Sequence, residues 1–131
     1  MEPAANMQTA QGLLQIAEVG LGGYRMSIAG NFIVEFEAYG VDITGAIPSD
    51  DFPQYVLLEI DKGGGSCPYL FRLLDLTPGR KPFLTGEFGN CSAWPALKIE
   101  GKNISVVFSS SHDSNAEFVL YDSGRRRMRT Q

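Results

Sequence analysis

The sequence predicts an all-β, mostly antiparallel fold, a single-domain sandwich or barrel-like meander of about eight strands. Three observations carry that expectation. Fifteen glycines and seven prolines in 131 residues are many for this length, and both residue types interrupt helices and build turns. Apolar residues recur at every second position in several short runs, the period of a strand with one buried face. Turn-forming stretches separate the runs at short intervals, the spacing of an all-β domain. An apolar fraction of 44% and a charged fraction of 20% supply a core for one domain.

Residues 1–12 are small and polar and read as a flexible lead-in, with the single β domain over residues 13–131. Residues 13–19, LLQIAEV, are too short a run for periodicity to assign, and fit a short N-terminal helix or a first strand. Gly20, Gly22 and Gly23 end the run. From Tyr24 the alternation is clear: Tyr24, Met26 and Ile28 share one face. Phe32, Val34 and Phe36 point inward on the returning strand, with Glu35 and Glu37 outward. Gly30-Asn31 between them suits the positive φ angles of a primed hairpin turn.

Residues 55–61, YVLLEID, are apolar nearly throughout and read as a central strand. Residues 62–66 form a loop, and residues 69–76 return as the antiparallel partner. Thr77-Pro78-Gly79-Arg80 is a turn, and residues 83–88 contain a further short strand. Residues 96–100 and 104–108 flank Gly101-Lys102-Asn103 as a second hairpin. Residues 117–121 precede Asp122-Ser123-Gly124 and a run of arginines.

The net charge of −4 argues against nucleic acid as a partner, because phosphate binding needs a basic surface. Arg125, Arg126, Arg127 and Arg129 lie near the C-terminus, leaving seven basic residues against 15 acidic ones elsewhere. Such a tail reads either as an anion-binding segment or as an edge strand pairing with residues 117–121. In the second reading the charges discourage edge-to-edge aggregation and the arginines lie against the protein's own carboxylates. No stretch approaches the roughly 20 apolar residues of a membrane span. Met1-Glu2-Pro3-Ala4-Ala5-Asn6 has neither a basic region nor an apolar one, so either a cytosolic chain or the mature form of an exported one is expected.

Cys67 and Cys91 lie beside turn-forming stretches. With His112 the only histidine, zinc ligation is not expected, and no cofactor is. An even cysteine count in a small glycine-rich β domain fits a disulfide and an oxidising compartment; two separate buried thiols are the other reading.

The segment Gly63-Gly64-Gly65-Ser66-Cys67-Pro68-Tyr69-Leu70-Phe71-Arg72, followed by Gly86-Glu87-Phe88-Gly89-Asn90-Cys91-Ser92, resembles a paired pattern in small exported proteins of Gram-negative bacteria. There a GG-x-x-CP-x-x-[YF]-R segment precedes an EFG-x-CS segment and a lysine-rich hairpin. The likeness extends loosely over residues 20–121. It implies a periplasmic location, a mature chain and a Cys67–Cys91 bridge, and it implies no activity. Ala93-Trp94-Pro95 stands where the pattern usually continues with an acidic residue.

Several groupings resemble chemical sites. Ser109-Ser110-Ser111-His112-Asp113-Ser114 holds every residue type of a hydrolytic triad, but adjacent residues on one loop rarely converge as a triad must. Asp50 and Asp51 with Asp42 or Asp61 have the carboxylates of a calcium site, without EF-hand spacing, and also suit turn geometry. Glu35 and Glu37 read as the solvent face of a strand. The glycines at 63–65 lack the Lys-Ser/Thr and helix of a phosphate loop. Trp94, the only tryptophan, suits stacking on a sugar, anchoring a partner, or covering the bridge.

The expectation is therefore a non-enzymatic periplasmic protein that binds a protein partner, as an inhibitor or immunity protein does. A small-ligand or glycan-binding module is the alternative, and a hydrolase the weakest reading. Binding belongs on loops, here residues 63–66, 87–94 and 109–115, with Gly63, Gly64, Gly65, Ser66, Phe88, Asn90, Trp94, His112 and Asp113 as candidates.

Overall fold

The computed structural model describes residues 3–48, 52–63, 69–89, 95–101, 103–108 and 117–130. Among these the chain forms twelve strands and no helix. Strands β1 (Pro3–Thr9), β2 (Gly12–Glu18), β3 (Gly23–Ile28) and β4 (Asn31–Glu37) make the first sheet. The second holds β5 (Gly40–Ile47), β6 (Tyr55–Asp61), β7 (Tyr69–Asp75) and β8 (Phe83–Leu84). The third holds β9 (Ala96–Glu100), β10 (Asn103–Phe108), β11 (Glu117–Asp122) and β12 (Arg127–Thr130). Each sheet is an antiparallel meander in chain order.

Side-chain alternation in β6 sets the layering. Val56, Leu58 and Ile60 pack with Leu14, Ile16, Tyr24, Met26 and Ile28 of the first sheet. Tyr55 and Leu57 turn the other way, onto Ile104, Val106, Phe108, Val119 and Tyr121 of the third. The second sheet is thus the middle of a three-layer sandwich. A strand covered on both faces must be apolar at consecutive positions, which is why YVLLEID has little alternation. A fully buried Leu or Ile contributes roughly 1.5–3 kcal/mol, so β6 is the energetic centre of the molecule.

The strand count exceeds the expected eight. Residues 3–9, read from sequence as part of a lead-in, form β1, paired from Thr9↔Gly12 outward against β2. Residues 13–18 belong to strand β2 rather than a helix, because Leu14 and Ile16 are both fully buried at a period of two. Strand β5 was not anticipated. The pairing skips Thr44 as a bulge between Ile43 and Gly45, which breaks the period. Gly45 has a packing reason: a Cβ there would lie 2.9 Å from the Leu97 side chain of β9.

Two details of the first hairpin also shift. Its turn is Ala29-Gly30, with φ of 51° and 82° and Ile28↔Asn31 closing it, one residue before the expected Gly30-Asn31. The pairing then passes from Ser27↔Phe32 to Met26↔Val34, and this bulge reverses the facing of what precedes it. Phe32 therefore points to solvent, 61% exposed, with the Arg25 guanidinium 5.8 Å from its ring centroid. Ile33 packs inward alongside Val34 and Phe36.

The C-terminal arginines form the edge strand. Val119↔Thr130 to Asp122↔Arg127 pair as a hairpin, with Met128 turned to the core and Arg127 and Arg129 exposed. Arg126, at φ 55°, turns inward instead. Its Nε lies 3.6 Å from Asp75 Oδ2, and its guanidinium stands 5.3 Å from the Phe83 ring centroid.

Asp75 is the fully buried carboxylate between the second and third sheets. Its Oδ1 accepts the Thr77 amide (2.9 Å) and hydroxyl (2.6 Å), and its Oδ2 accepts the Tyr121 hydroxyl at 2.7 Å. Burial, followed by the bond to Asp75, holds the Tyr121 phenol far above its ordinary range. The phenol therefore stays a donor. Tyr121→Phe keeps the ring and removes that donor, and urea denaturation should show a loss of about 1.5–3 kcal/mol. Asp75→Ala should cost more, about 3–5 kcal/mol, because it strands the buried Arg126 charge. An equal or smaller loss in Asp75→Ala would show that the carboxylate does not organise this junction.

Candidate functional site

The ends of the first two sheets enclose a cleft of about 620 Å³ lined by Glu18, Leu21, Tyr24, Glu37, Tyr39 and Lys62. Two tight connections build its walls. Between β2 and β3, Gly20 and Gly22 adopt φ of 70° and 77°, and the Val19 amide donates to the Gly23 carbonyl at 2.8 Å. Leu21 sits at the tip of that turn, fully exposed. Between β4 and β5, the Ala38 amide donates to the Gly22 carbonyl (3.0 Å) and the Tyr39 amide to the Asp61 carbonyl (2.8 Å). Tyr39 also lines the cleft and is left 78% exposed.

Asp61 also receives the Gly63 amide on its Oδ1 at 2.8 Å, turning the chain sharply after β6. Gly63 has φ of 88°, and a Cβ there would overlap the Tyr39 ring. Glycine is required at 63 on both counts: the left-handed backbone disfavours any side chain, and the Tyr39 ring occupies the space. Lys62, beside it, pairs with Glu87 at 2.9 Å. That half-exposed pair is worth about 0.2–1 kcal/mol, and it draws the segment before Phe88 to this same end.

Tyr24 forms the cleft floor and is only 5% exposed. Its ring stacks on Phe36 with centroids 6.0 Å apart. Burial raises its phenol above the ordinary value, and the charges of Glu18, Asp42 and Asp61 add to this. Nearby, the register sets Asp42 directly opposite Glu59 across β5 and β6. Burial, then Asp42 and Asp61, raise the Glu59 carboxyl above its usual range.

Of the residues singled out from sequence, Gly63 belongs to this region as the support of Tyr39. Phe88 turns inward. Its backbone exchanges hydrogen bonds with Phe71 at 2.8 and 2.9 Å, and its ring meets Phe108 edge-on at 6.2 Å between centroids. It is a partly buried ring packed against the second core cluster. Gly64, Gly65, Ser66, Asn90, Trp94, His112 and Asp113 lie outside the described residues, as do Cys67, Cys91, Asp50 and Asp51. Among the described residues no group of three or more His, Cys, Asp or Glu side chains could hold a metal ion, and no helix is long and apolar enough to cross a membrane.

Leu21, Tyr39 and the carboxylates around them were not anticipated. The available signal was a large apolar side chain inside a glycine turn, Gly20-Leu21-Gly22, where nothing about turn geometry calls for leucine. Tyr39-Gly40 repeats it at the next connection. No family model matches the chain, and no curated protein or solved structure matches it either.

The raised Glu59 carboxyl has a consequence for stability. The native state holds that proton more tightly than the unfolded chain, so the penalty is full at neutral pH and vanishes as pH falls below the ordinary carboxylate range. Glu59→Gln should therefore stabilise the protein at pH 7 by about 0.5 kcal/mol, the scale of one like-charge cross-strand pair. The gain should fade in melts recorded near pH 3. A pH-independent difference would mean that packing, not charge, sets it.

Proposed function

We propose that this protein is a non-enzymatic binding protein that engages a protein partner through the cleft between Leu21 and Tyr39. The observation that carries the reading is that these two exposed side chains line one concavity, each on a connection fastened by backbone hydrogen bonds. Protein interfaces concentrate their energy in a few apolar or aromatic anchors near the centre, ringed by polar groups. Leu21 and Tyr39 match the anchors, and Glu18, Glu37 and Lys62 the rim. Fixed anchors lose little freedom on binding, which favours affinity.

The setting is the one that the sequence resemblance implies. The protein acts in the periplasm, stabilised by a Cys67–Cys91 bridge, and neutralises its partner as an inhibitor or immunity protein does. A glycan-binding role is the second reading, favoured by exposed Tyr39 beside Glu37, an aromatic platform next to a hydrogen-bond acceptor.

Two measurements test this. Protein recovered from an oxidising compartment should resist alkylation under denaturing conditions until reduced, and run as the same monomer mass with or without reductant. Two free thiols would remove the exported setting. Capture from periplasmic extract should yield a stoichiometric complex with the unaltered protein. The double variant Leu21→Ala, Tyr39→Ala should weaken it at least about tenfold, since anchor truncations typically cost more than about 1 kcal/mol each. Equal capture by the double variant would move the site elsewhere. Fluorescence quenching by glycans, with no protein captured, would favour the second reading.

A further inference from the structure

The third sheet ends on an open edge. β9 has β10 on one side and, among the described residues, no strand on the other. Its hairpin with β10 closes at Glu100↔Asn103 across a two-residue connection, which makes that pair the hydrogen-bonded one. Bonded and non-bonded pairs then alternate back along the strand, so Ile99↔Ile104 and Leu97↔Val106 are non-bonded pairs. The amides and carbonyls of Leu97 and Ile99 therefore point away from β10, toward the free edge. A row of unpaired backbone donors and acceptors is a template for another strand.

The core face of the same strand is incompletely covered. Ile104, Tyr121 and Met128 share a rung with Ile99 and pack in or against the second core cluster, whereas Ile99 itself is 54% exposed. With Gly45, Ala46, Ile47 and Leu97 it lines a largely apolar groove of about 520 Å³ between the edges of β5 and β9. The other sheet edges are guarded against pairing. β12 carries exposed Arg127 and Arg129, β8 is two residues long, and β1, β4 and β5 each hold a bulge. β9 has an unbroken register.

We infer that β9 pairs with β9 of a second copy of this chain, antiparallel about a twofold axis at Ile99, joining the two third sheets into one. Three registers would satisfy the outward-pointing backbone. One centred on Leu97 sets Pro95, which has no amide, against Ile99. One centred on Lys98 sets two exposed cations against each other. The register centred on Ile99 sets Lys98 opposite Glu100 of the second copy, twice by symmetry, and so matches opposite charges. It also brings the two Ile99 side chains together over the groove. Such a strand is complementary to itself, as a twofold interface requires. The groove shares no lining residue with the Leu21–Tyr39 cleft, so the dimer is independent of the binding role proposed above.

Sedimentation equilibrium of the full chain should show the average mass rising from 14.3 kDa toward twice that value. The rise is expected as concentration approaches about 1 mM, the range of a small interface. The Ile99 amide should exchange with solvent more slowly in concentrated than in dilute protein, because it donates to the Ile99 carbonyl of the second copy. Lys98→Glu and Glu100→Lys should each weaken the dimer at least about tenfold, since each turns two attractive pairs into repulsive ones. Combining them restores both attractions, so the double variant should dimerise within about threefold of the unaltered chain. A dimer that ignores both charge reversals, or that the double variant fails to restore, would overturn the inference. A monomer at every concentration would also overturn it. In that case, protection of the Ile99 amide only after periplasmic extract is added would assign the edge to a strand of another protein.

Discussion

Strand β6 has to bury both of its faces, and most of the architecture follows from how that is done. One face takes the first sheet and the other the third, and the two sets of partners do not mix: Val56, Leu58 and Ile60 belong to one core cluster, Tyr55 and Leu57 to the other. Neither outer sheet could stand alone, because a four-stranded meander leaves one apolar face to be covered. The middle sheet covers both. It is itself held mainly by β5, β6 and β7, since β8 contributes only Phe83 and Leu84.

A sheet buried on both sides leaves no room for a charge unless every one of its partners comes from the protein. Asp75 ends β7 on the face toward the third sheet, and it is satisfied by Thr77 from its own turn and Tyr121 from β11. Replacing such a group by an apolar one is often neutral in energy, whereas removing one partner is costly. The network therefore acts on geometry more than on net stability: it pins β11 to the end of β7. Arg126 joins it by turning inward at positive φ while Arg127 and Arg129 of β12 stay in solvent. On the other face Arg72 plays a comparable part. Its Nε donates to the Thr85 carbonyl at 2.8 Å, and its guanidinium lies over the Phe36 ring of the first sheet. Burial lowers its pKa, with Glu87 opposing.

How much of this was legible in the sequence depended on whether a local pattern survived tertiary constraint. The unbroken apolar run at 55–61, the alternation at Tyr24, Met26 and Ile28, and the two hairpins around residues 62–66 and 101–102 all appear in the structure. The reading of the arginines as an edge strand beside residues 117–121 also matches it. What failed did so at bulges. An extra residue at Thr44 hid β5, and another at Ile33–Val34 put Phe32 on the wrong face, because a one-residue slip inverts every side chain beyond it. Strand β1 was hidden differently: PAANMQT has small and polar residues, and its place is set by pairing with β2 rather than by its own composition. The cleft was the least legible part. Its residues come from three connections far apart in sequence, and only their common location at one end of the sandwich makes them a site.

The placement of that site follows from the same layering. At the ends of the strands the apolar cores stop, and the polar residues that terminate each strand are brought together whether or not they are compatible. Asp42, Glu59 and Asp61 illustrate it, gathered by the register of β5 on β6 and raising the protonation of Glu59. Natural proteins offset charges of this kind with cations when stability alone is at stake, and this chain does so elsewhere, with Arg25 on Glu35, Lys62 on Glu87 and Arg126 on Asp75. Among the described residues Glu18 and Glu37 have no such partner, and they line the same cleft as a fully exposed leucine, which sets two local rules aside in one place. Departures from local consistency concentrate where a protein meets its ligand. The economy of the fold supports that reading, because the turns presenting Leu21 and Tyr39 are fastened by backbone hydrogen bonds to Gly23, Gly22 and Asp61. The surface is costly to maintain and rigidly held, the combination that a preformed binding site requires.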